Sequence, residues 1–212
     1  MKHLDFHFDV ISPFAYLAFE RLPQALEGLS YEVSYRPVLF AGLLQHWGQK
    51  GPAEIGPKRA FTYRHVAWLA QHHGIGFAMP AAHPFNPLAL LRLAWACADG
   101  GTPNRRVCEA VLRHVWRGGL AADDAARLAA LERELLPALD RRGAAAKAAL
   151  REATQAAVAG GIFGVPTVSV DGRAFWGFDA LPMLAACLRG EPWFDGPDWN
   201  AAAATPVGVQ RR

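Results

Sequence analysis

The stretch Asp9-Val10-Ile11-Ser12-Pro13-Phe14-Ala15-Tyr16 decides how the start of the chain is read. Before it, Leu4, Phe6 and Phe8 alternate with His3, Asp5, His7 and Asp9, the two-residue period of a strand with one buried face. Within it, Ser12 is a good N-cap and Pro13 suits the first helical position. Beyond it, Tyr16, Leu17, Phe19, Leu22 and Leu26 recur at helical spacing as far as Gly28. Tyr31, Val33 and Tyr35 then alternate with Glu32, Ser34 and Arg36 in a second strand over 31–38. The chain therefore opens strand, helix, strand, with a hydroxyl where the first strand turns into the first helix. A helix N-terminus offers unpaired N–H groups and the positive end of the macrodipole. An anion held beside Ser12 is stabilised there, and a thiol loses its proton more readily.

From Leu39 the texture changes to helices separated by Gly and Pro. The spacing predicts helices over 57–73, over 87–98 with Asn86 as cap, over 103–116, over 123–140 with Pro137 kinking or ending it, and over 147–158. Phe61, Trp68, Trp95 and Trp116 are expected in the helical core. Strand chemistry returns at 166–170, and Asp171-Gly172 is a two-residue hairpin signal leading into Ala174, Phe175 and Trp176. A last helix over 180–189 closes at Gly190. The tail from Glu191 to Arg212 is expected to be partly ordered by Trp193, Phe194 and Trp199, with a loose far end. This order describes a small α/β domain interrupted by a helical one.

With 52% hydrophobic and 19% charged residues in 212, and a net charge of +3, the chain is built to fold around a core. No run approaches the roughly 18 to 20 apolar residues of a membrane span, and Leu4 to Val10 is too short for a signal-peptide core, so a cytoplasmic protein without membrane partners is expected. Basic residues are scattered, with no run longer than a pair such as Arg141-Arg142 or Arg211-Arg212, which argues against nucleic acid. Cys97, Cys108 and Cys187 form no Cys-x-x-Cys pair and no zinc spacing; they read as small apolar residues. No metal site is expected from the histidines. His72 and His73 are adjacent, and His3 and His7 share a strand face without a third ligand.

Two further stretches can carry chemistry. In Gly161-Ile162-Phe163-Gly164-Val165-Pro166-Thr167-Val168 a proline begins a strand. A cis Val165-Pro166 bond would leave the Val165 N–H and C=O free to pair with an extended peptide ligand. In Phe175-Trp176-Gly177-Phe178-Asp179-Ala180-Leu181 a strand end passes into a helix start, where N–H groups favour a carboxylate and Asp179 can accept from an ammonium. Each feature also has a plain structural reading, Ser12 and Asp179 as N-caps and Pro166 as an edge device.

Taken in order, these motifs resemble the 2-hydroxychromene-2-carboxylate isomerases, relatives of the kappa-class glutathione transferases in the DsbA-like branch of the thioredoxin fold. The resemblance spans about residues 3–190. It rests on Phe8 to Leu17, Arg36-Pro37-Val38-Leu39, Pro57-Lys58, Phe85-Asn86-Pro87-Leu88, Gly161 to Thr167 and Phe175-Trp176-Gly177-x-Asp179. The fold it implies is α/β, a thioredoxin-like (DsbA-like) domain of residues 1–38 and 160–192 with a large all-helical insertion over 39–159 and a tail over 193–212.

The resemblance further implies glutathione as cofactor, with its sulfur near Ser12, which stands where disulfide oxidoreductases of this fold carry their attacking cysteine. Val165, beside Pro166, would pair with the cysteinyl backbone, and Gly177, Phe178 and Asp179 would hold the γ-glutamyl end. Lys58, with Asn86 second, would face the substrate's developing negative charge. Family members often carry Asn where this chain has Gln49, in Trp47-Gly48-Gln49-Lys50. The implied reaction interconverts 2-hydroxychromene-2-carboxylate and trans-o-hydroxybenzylidenepyruvate, or a related aromatic keto acid, by reversible thiolate addition, in a homodimer. Two other readings stand beside it: a kappa-like glutathione transferase or peroxidase, and a thioredoxin-like binding module without chemistry.

Overall fold

The structure, a computed structural model of the chain, describes residues 1–98 and 100–208. Arg211-Arg212 and the far end of the tail lie outside the described residues. Strand β1 (Lys2–Phe8) runs parallel to β2 (Tyr31–Pro37), with helix α1 (Pro13–Ala25) between them. Six helices follow: α2 (Phe40–His46), α3 (Gly56–His72), α4 (Leu88–Ala96), α5 (Arg105–Trp116), α6 (Ala125–Leu135) and α7 (Ala144–Ala159). The hairpin of β3 (Thr167–Val170) and β4 (Arg173–Trp176) then joins the sheet, β3 lying antiparallel to β1. Strand order is β2-β1-β3-β4. Helix α8 (Leu181–Leu188) and, in the tail, α9 (Pro197–Ala203) complete the described elements.

The alternation in β1 sorts its side chains as expected. Leu4, Phe6 and Phe8 are fully buried and join Tyr16, Leu17, Phe19 and Leu22 of α1 and Leu181 and Leu184 of α8 in the core. His3, Asp5 and His7 face the other side, where Ala153, Ala156 and Ala157 of α7 lie across a cleft. The same core continues without a break through Val66, Leu91, Val111, Trp116 and Leu128 of the inserted helices.

Several expectations change. Phe61 and Trp68 are not core residues: they are 66% and 56% exposed, because α3 buries Val66 and Ala70 instead. On the outer face His65 packs beside Phe61 and stacks with Trp68, which stacks in turn on His72. Trp95 and Trp116 are buried as expected. Helix α6 ends at Leu135, two residues before Pro137, with Leu136 in the left-handed region, so Pro137 stops that helix and does not kink it. The short helix α2 lies in the stretch after Leu39, where spacing gave no element of its own. Helix α5 starts at Arg105, two residues later than expected, with Asn104 as its cap. Cys108 is buried, and Cys97 and Cys187 are half-buried. Among the described residues no helix is long and apolar enough to cross a membrane.

Candidate functional site

The loop between β1 and α1 is held from four directions. Asp9 is completely buried, and its carboxylate accepts from the Ile11 N–H (3.0 Å) and, across the sheet edge, from the Phe40 N–H at the start of α2 (2.8 Å). Val10 C=O accepts from the Trp116 indole N–H at 2.9 Å. Ile11 C=O accepts from His83 Nε2–H at 2.8 Å. Since His83 donates through Nε2, its neutral ring accepts at Nδ1, where the Tyr63 hydroxyl donates over 2.6 Å. Burial pushes the His83 pKa down, which keeps the ring in that neutral form. Burial likewise pushes the Asp9 carboxyl up to about 7, against the two N–H bonds that pull it down.

Ser12 stands at the end of this loop, 8% exposed, as N-cap of α1. Its Oγ accepts from the Ala15 N–H (3.2 Å) and donates to Val165 C=O (3.3 Å). The second bond joins the first helix start to the Val165-Pro166 turn, 153 residues away in sequence. The Val165-Pro166 peptide is cis. Pro166 is buried, and its carbonyl accepts from the Gly177 N–H at 2.9 Å, which brings the third stretch beside the second. Gly177 has φ +102°, a conformation that side chains rarely adopt, and its missing Cβ leaves room for the Asp179 carboxylate.

Asp179 is not the N-cap that local sequence suggested. A single 3-10 turn, Phe178–Ala180, precedes α8, whose own cap is Ala180, and the exposed Asp179 carboxylate makes no hydrogen bond or ion pair among the described residues. Phe178 is buried, and its ring meets His73 at 5.1 Å. Hydrogen bonds thus bring Ser12, Val165, Pro166 and Gly177 together, with Phe178 and Asp179 following directly in the chain. Lys58 and Asn86 are not bonded to that cluster. Lys58 is exposed in the first turn of α3, and Asn86 is exposed with its Oδ1 accepting from the Leu88 N–H at 3.1 Å.

Sequence reasoning missed Asp9, Tyr63 and His83. Asp9 was visible as the last residue of an alternating strand next to Ser12. His83 and Tyr63 lie 20 residues apart and meet only in three dimensions; the one signal was the Pro-rich setting of His83, a loop stretch of the kind that carries function.

Fold and site together define a thioredoxin-fold protein in which Ser12 caps the helix that follows the first strand. A family model for the DSBA-like thioredoxin domain matches residues 3–189. The chain belongs to that family, in the group that holds the 2-hydroxychromene-2-carboxylate isomerases and the kappa-class glutathione transferases. It is 30% identical over 206 residues to a 2-hydroxychromene-2-carboxylate isomerase of Pseudomonas sp. (strain C18), covering 89% of this chain and 91% of that protein. It is 29% identical over 216 residues to glutathione S-transferase kappa 2 of Caenorhabditis elegans, covering 92% and 95%. Among solved structures, a 2-hydroxychromene-2-carboxylate isomerase superposes with a TM-score of 0.77 at 24% identity over 96% of this chain and all of the other. The cytosolic disulfide reductase DsbM of Pseudomonas aeruginosa with GSH superposes at 0.55 and 17% identity, over 88% and 99%.

Proposed function

We propose that the protein is a cytoplasmic glutathione-dependent isomerase that interconverts 2-hydroxychromene-2-carboxylate and trans-o-hydroxybenzylidenepyruvate, or a related aromatic keto acid. The observation that carries this is the Ser12 Oγ to Val165 C=O bond at the N-terminus of α1. At 3.3 Å it is longer than the usual O–H···O distance of about 2.5–3.0 Å, so little is lost when the proton is redirected. Turning the Ser12 hydroxyl toward an anion leaves Val165 C=O free to accept an N–H from the same ligand. One rotation therefore fits the site for a peptide-like molecule bearing a thiolate.

The residues present fit glutathione on these grounds. Asp179 is a carboxylate without a partner among the described residues, suited to an ammonium, and the N–H groups of the turn it sits in suit a carboxylate. When bound, glutathione supplies the thiolate whose addition to the carbon–carbon double bond, and later departure, allows that bond to rotate. The chain's own part is to bind, orient and hold charge. The α1 N-terminus and Ser12 favour the thiolate over the thiol. The Asp9, Trp116 and His83 bonds keep the Ser12 loop in place while its hydroxyl turns. Lys58 is assigned to the developing negative charge on the substrate's ketone oxygen, with Asn86 second. A homodimer belongs to the same reading, and the exposed Phe61 and Trp68 on α3 are the face we assign to it.

Calorimetric titration with glutathione and S-hexylglutathione tests the cofactor site: saturable binding is expected, weakened by Asp179→Asn, and absence of binding at millimolar ligand would leave only the non-catalytic module. Offering 1-chloro-2,4-dinitrobenzene or cumene hydroperoxide beside the keto acid separates isomerase from transferase or peroxidase. Turnover of those electrophiles without isomerisation would favour the second reading.

A further inference from the structure

Away from the Ser12 cluster, α2, α4 and α7 enclose a cleft of about 610 Å³. Its walls are apolar, with Leu39, Leu88, Leu150 and Val158, while its charged lining is wholly cationic: Arg92 from α4 and Lys147 and Arg151 from α7. No carboxylate lines it among the described residues, and none of the three cations takes part in an ion pair there.

Two features mark the arrangement as more than a solvated face. Lys147 and Arg151 stand one turn apart on α7, where like charges repel, and Arg92 meets them from the neighbouring helix. Arg92 is half-buried, and its Nε is shut off from solvent with no acceptor in reach. Buried donors are seldom left without an acceptor. Thr154 is not available for a ligand, since its Oγ1 already accepts from the Leu39 N–H (3.0 Å) and donates to Leu150 C=O (2.8 Å). The three cations, with the amides of Gln45 and Gln155, are the groups left to bind.

We propose that this cleft binds a small organic dianion, an apolar body carrying a phosphate monoester or a pair of carboxylates, with Arg92, Lys147 and Arg151 on the charged end and Leu39, Leu88 and Leu150 against the body. A cleft with low-dielectric walls and one sign of charge concentrates such ligands, and its volume suits a molecule of drug-like size. The site is separate from the proposed glutathione site and does not depend on that reading.

Isothermal titration of the full chain with phenyl phosphate, phthalate and inorganic phosphate tests it, repeated with the Lys147→Gln/Arg151→Gln double variant. Both positions are exposed, so the fold should be kept, and a thermal melt checks this. One-to-one binding of phenyl phosphate or phthalate is expected, at least tenfold weaker in the double variant and weaker with added salt; whichever of the two binds tighter identifies the head group. No saturable binding by either, or equal affinity in wild type and variant, would overturn the site. Inorganic phosphate binding as tightly as phenyl phosphate would overturn the assignment of an organic body.

Discussion

Ser12 has one proton to donate and two acceptors for it, Val165 C=O in the free protein and the thiolate in the proposed complex. Removing the hydroxyl takes away both the N-cap and the anion donor. Ser12→Ala is therefore expected to lower stability by about 0.5–2 kcal/mol, the usual cost of a lost cap. It should also reduce the glutathione-dependent rate by about 10²–10³-fold, the loss seen when one donor to a developing anion is deleted. Thermal denaturation and steady-state kinetics read the two effects separately. The buried titratable pair on β1 and its exit makes a second prediction. Burial pushes His7 down to about 4, so its contribution to stability is complete above about pH 6.5 and is lost as pH falls towards 4. Burial pushes Asp9 up to about 7, so its contribution is complete below about pH 3.9 and is lost as pH rises towards 7. Between those limits the two slopes oppose each other, and calorimetry of the wild type should find a nearly level stability. His7→Phe should leave stability falling as pH rises through that window, and Asp9→Asn should leave it rising. Parallel profiles for the two variants would contradict the assignment.

The turn from β4 into α8 depends on a backbone conformation, not on a side chain. Gly177→Ala must adopt φ near +102° and would press its Cβ on the Asp179 carboxylate. A cost of about 1–3 kcal/mol in stability is expected from the backbone alone. In the proposed complex, displacing Asp179 also removes its charge-assisted bond to the ligand's ammonium, about 1.5–3 kcal/mol, so glutathione should bind at least about tenfold more weakly by calorimetry. Elements of this kind show how much could be read in advance. The strand–helix–strand opening, the Asp171-Gly172 hairpin and the final helix were legible because each follows a local rule: period two, period 3.6, or turn residues in the positive-φ positions that Asp171 and Gly172 occupy. Helix α2 was not, since its seven residues bury only Leu43 and show no apolar stripe. Phe61 and Trp68 were misplaced because their spacing fits a buried face as well as an exposed one, and only packing against α1 and the shared core decides which side of α3 turns inward. The Ser12, Val165 and Gly177 stretches could be picked out one by one, yet their contact is a product of sheet order. Tyr63 and His83 carry no local pattern at all.

At the scale of the whole molecule, the inserted helices are keyed into the frame by buried polar bonds as well as by a shared core. Trp116 donates to Val10 C=O (2.9 Å), Trp95 donates to Pro37 C=O (3.0 Å), and Arg113 makes two bonds to Glu20. Unfolding should therefore be one cooperative transition by calorimetry. Trp116→Phe, which leaves Val10 C=O buried without its donor, should lower stability by about 1–3 kcal/mol without splitting it. Two resolved transitions would show that frame and insertion fold apart. The same clamp fixes the loop on which Ser12 sits, and in the proposed reading the thiol that reacts there is supplied by glutathione. The direct test is the interconversion of 2-hydroxychromene-2-carboxylate and trans-o-hydroxybenzylidenepyruvate, followed by absorbance as glutathione is titrated in. The account predicts a rate that is negligible without glutathione, saturates with it, and collapses in Ser12→Ala; a rate indifferent to glutathione, or undiminished by loss of the Ser12 hydroxyl, would contradict it.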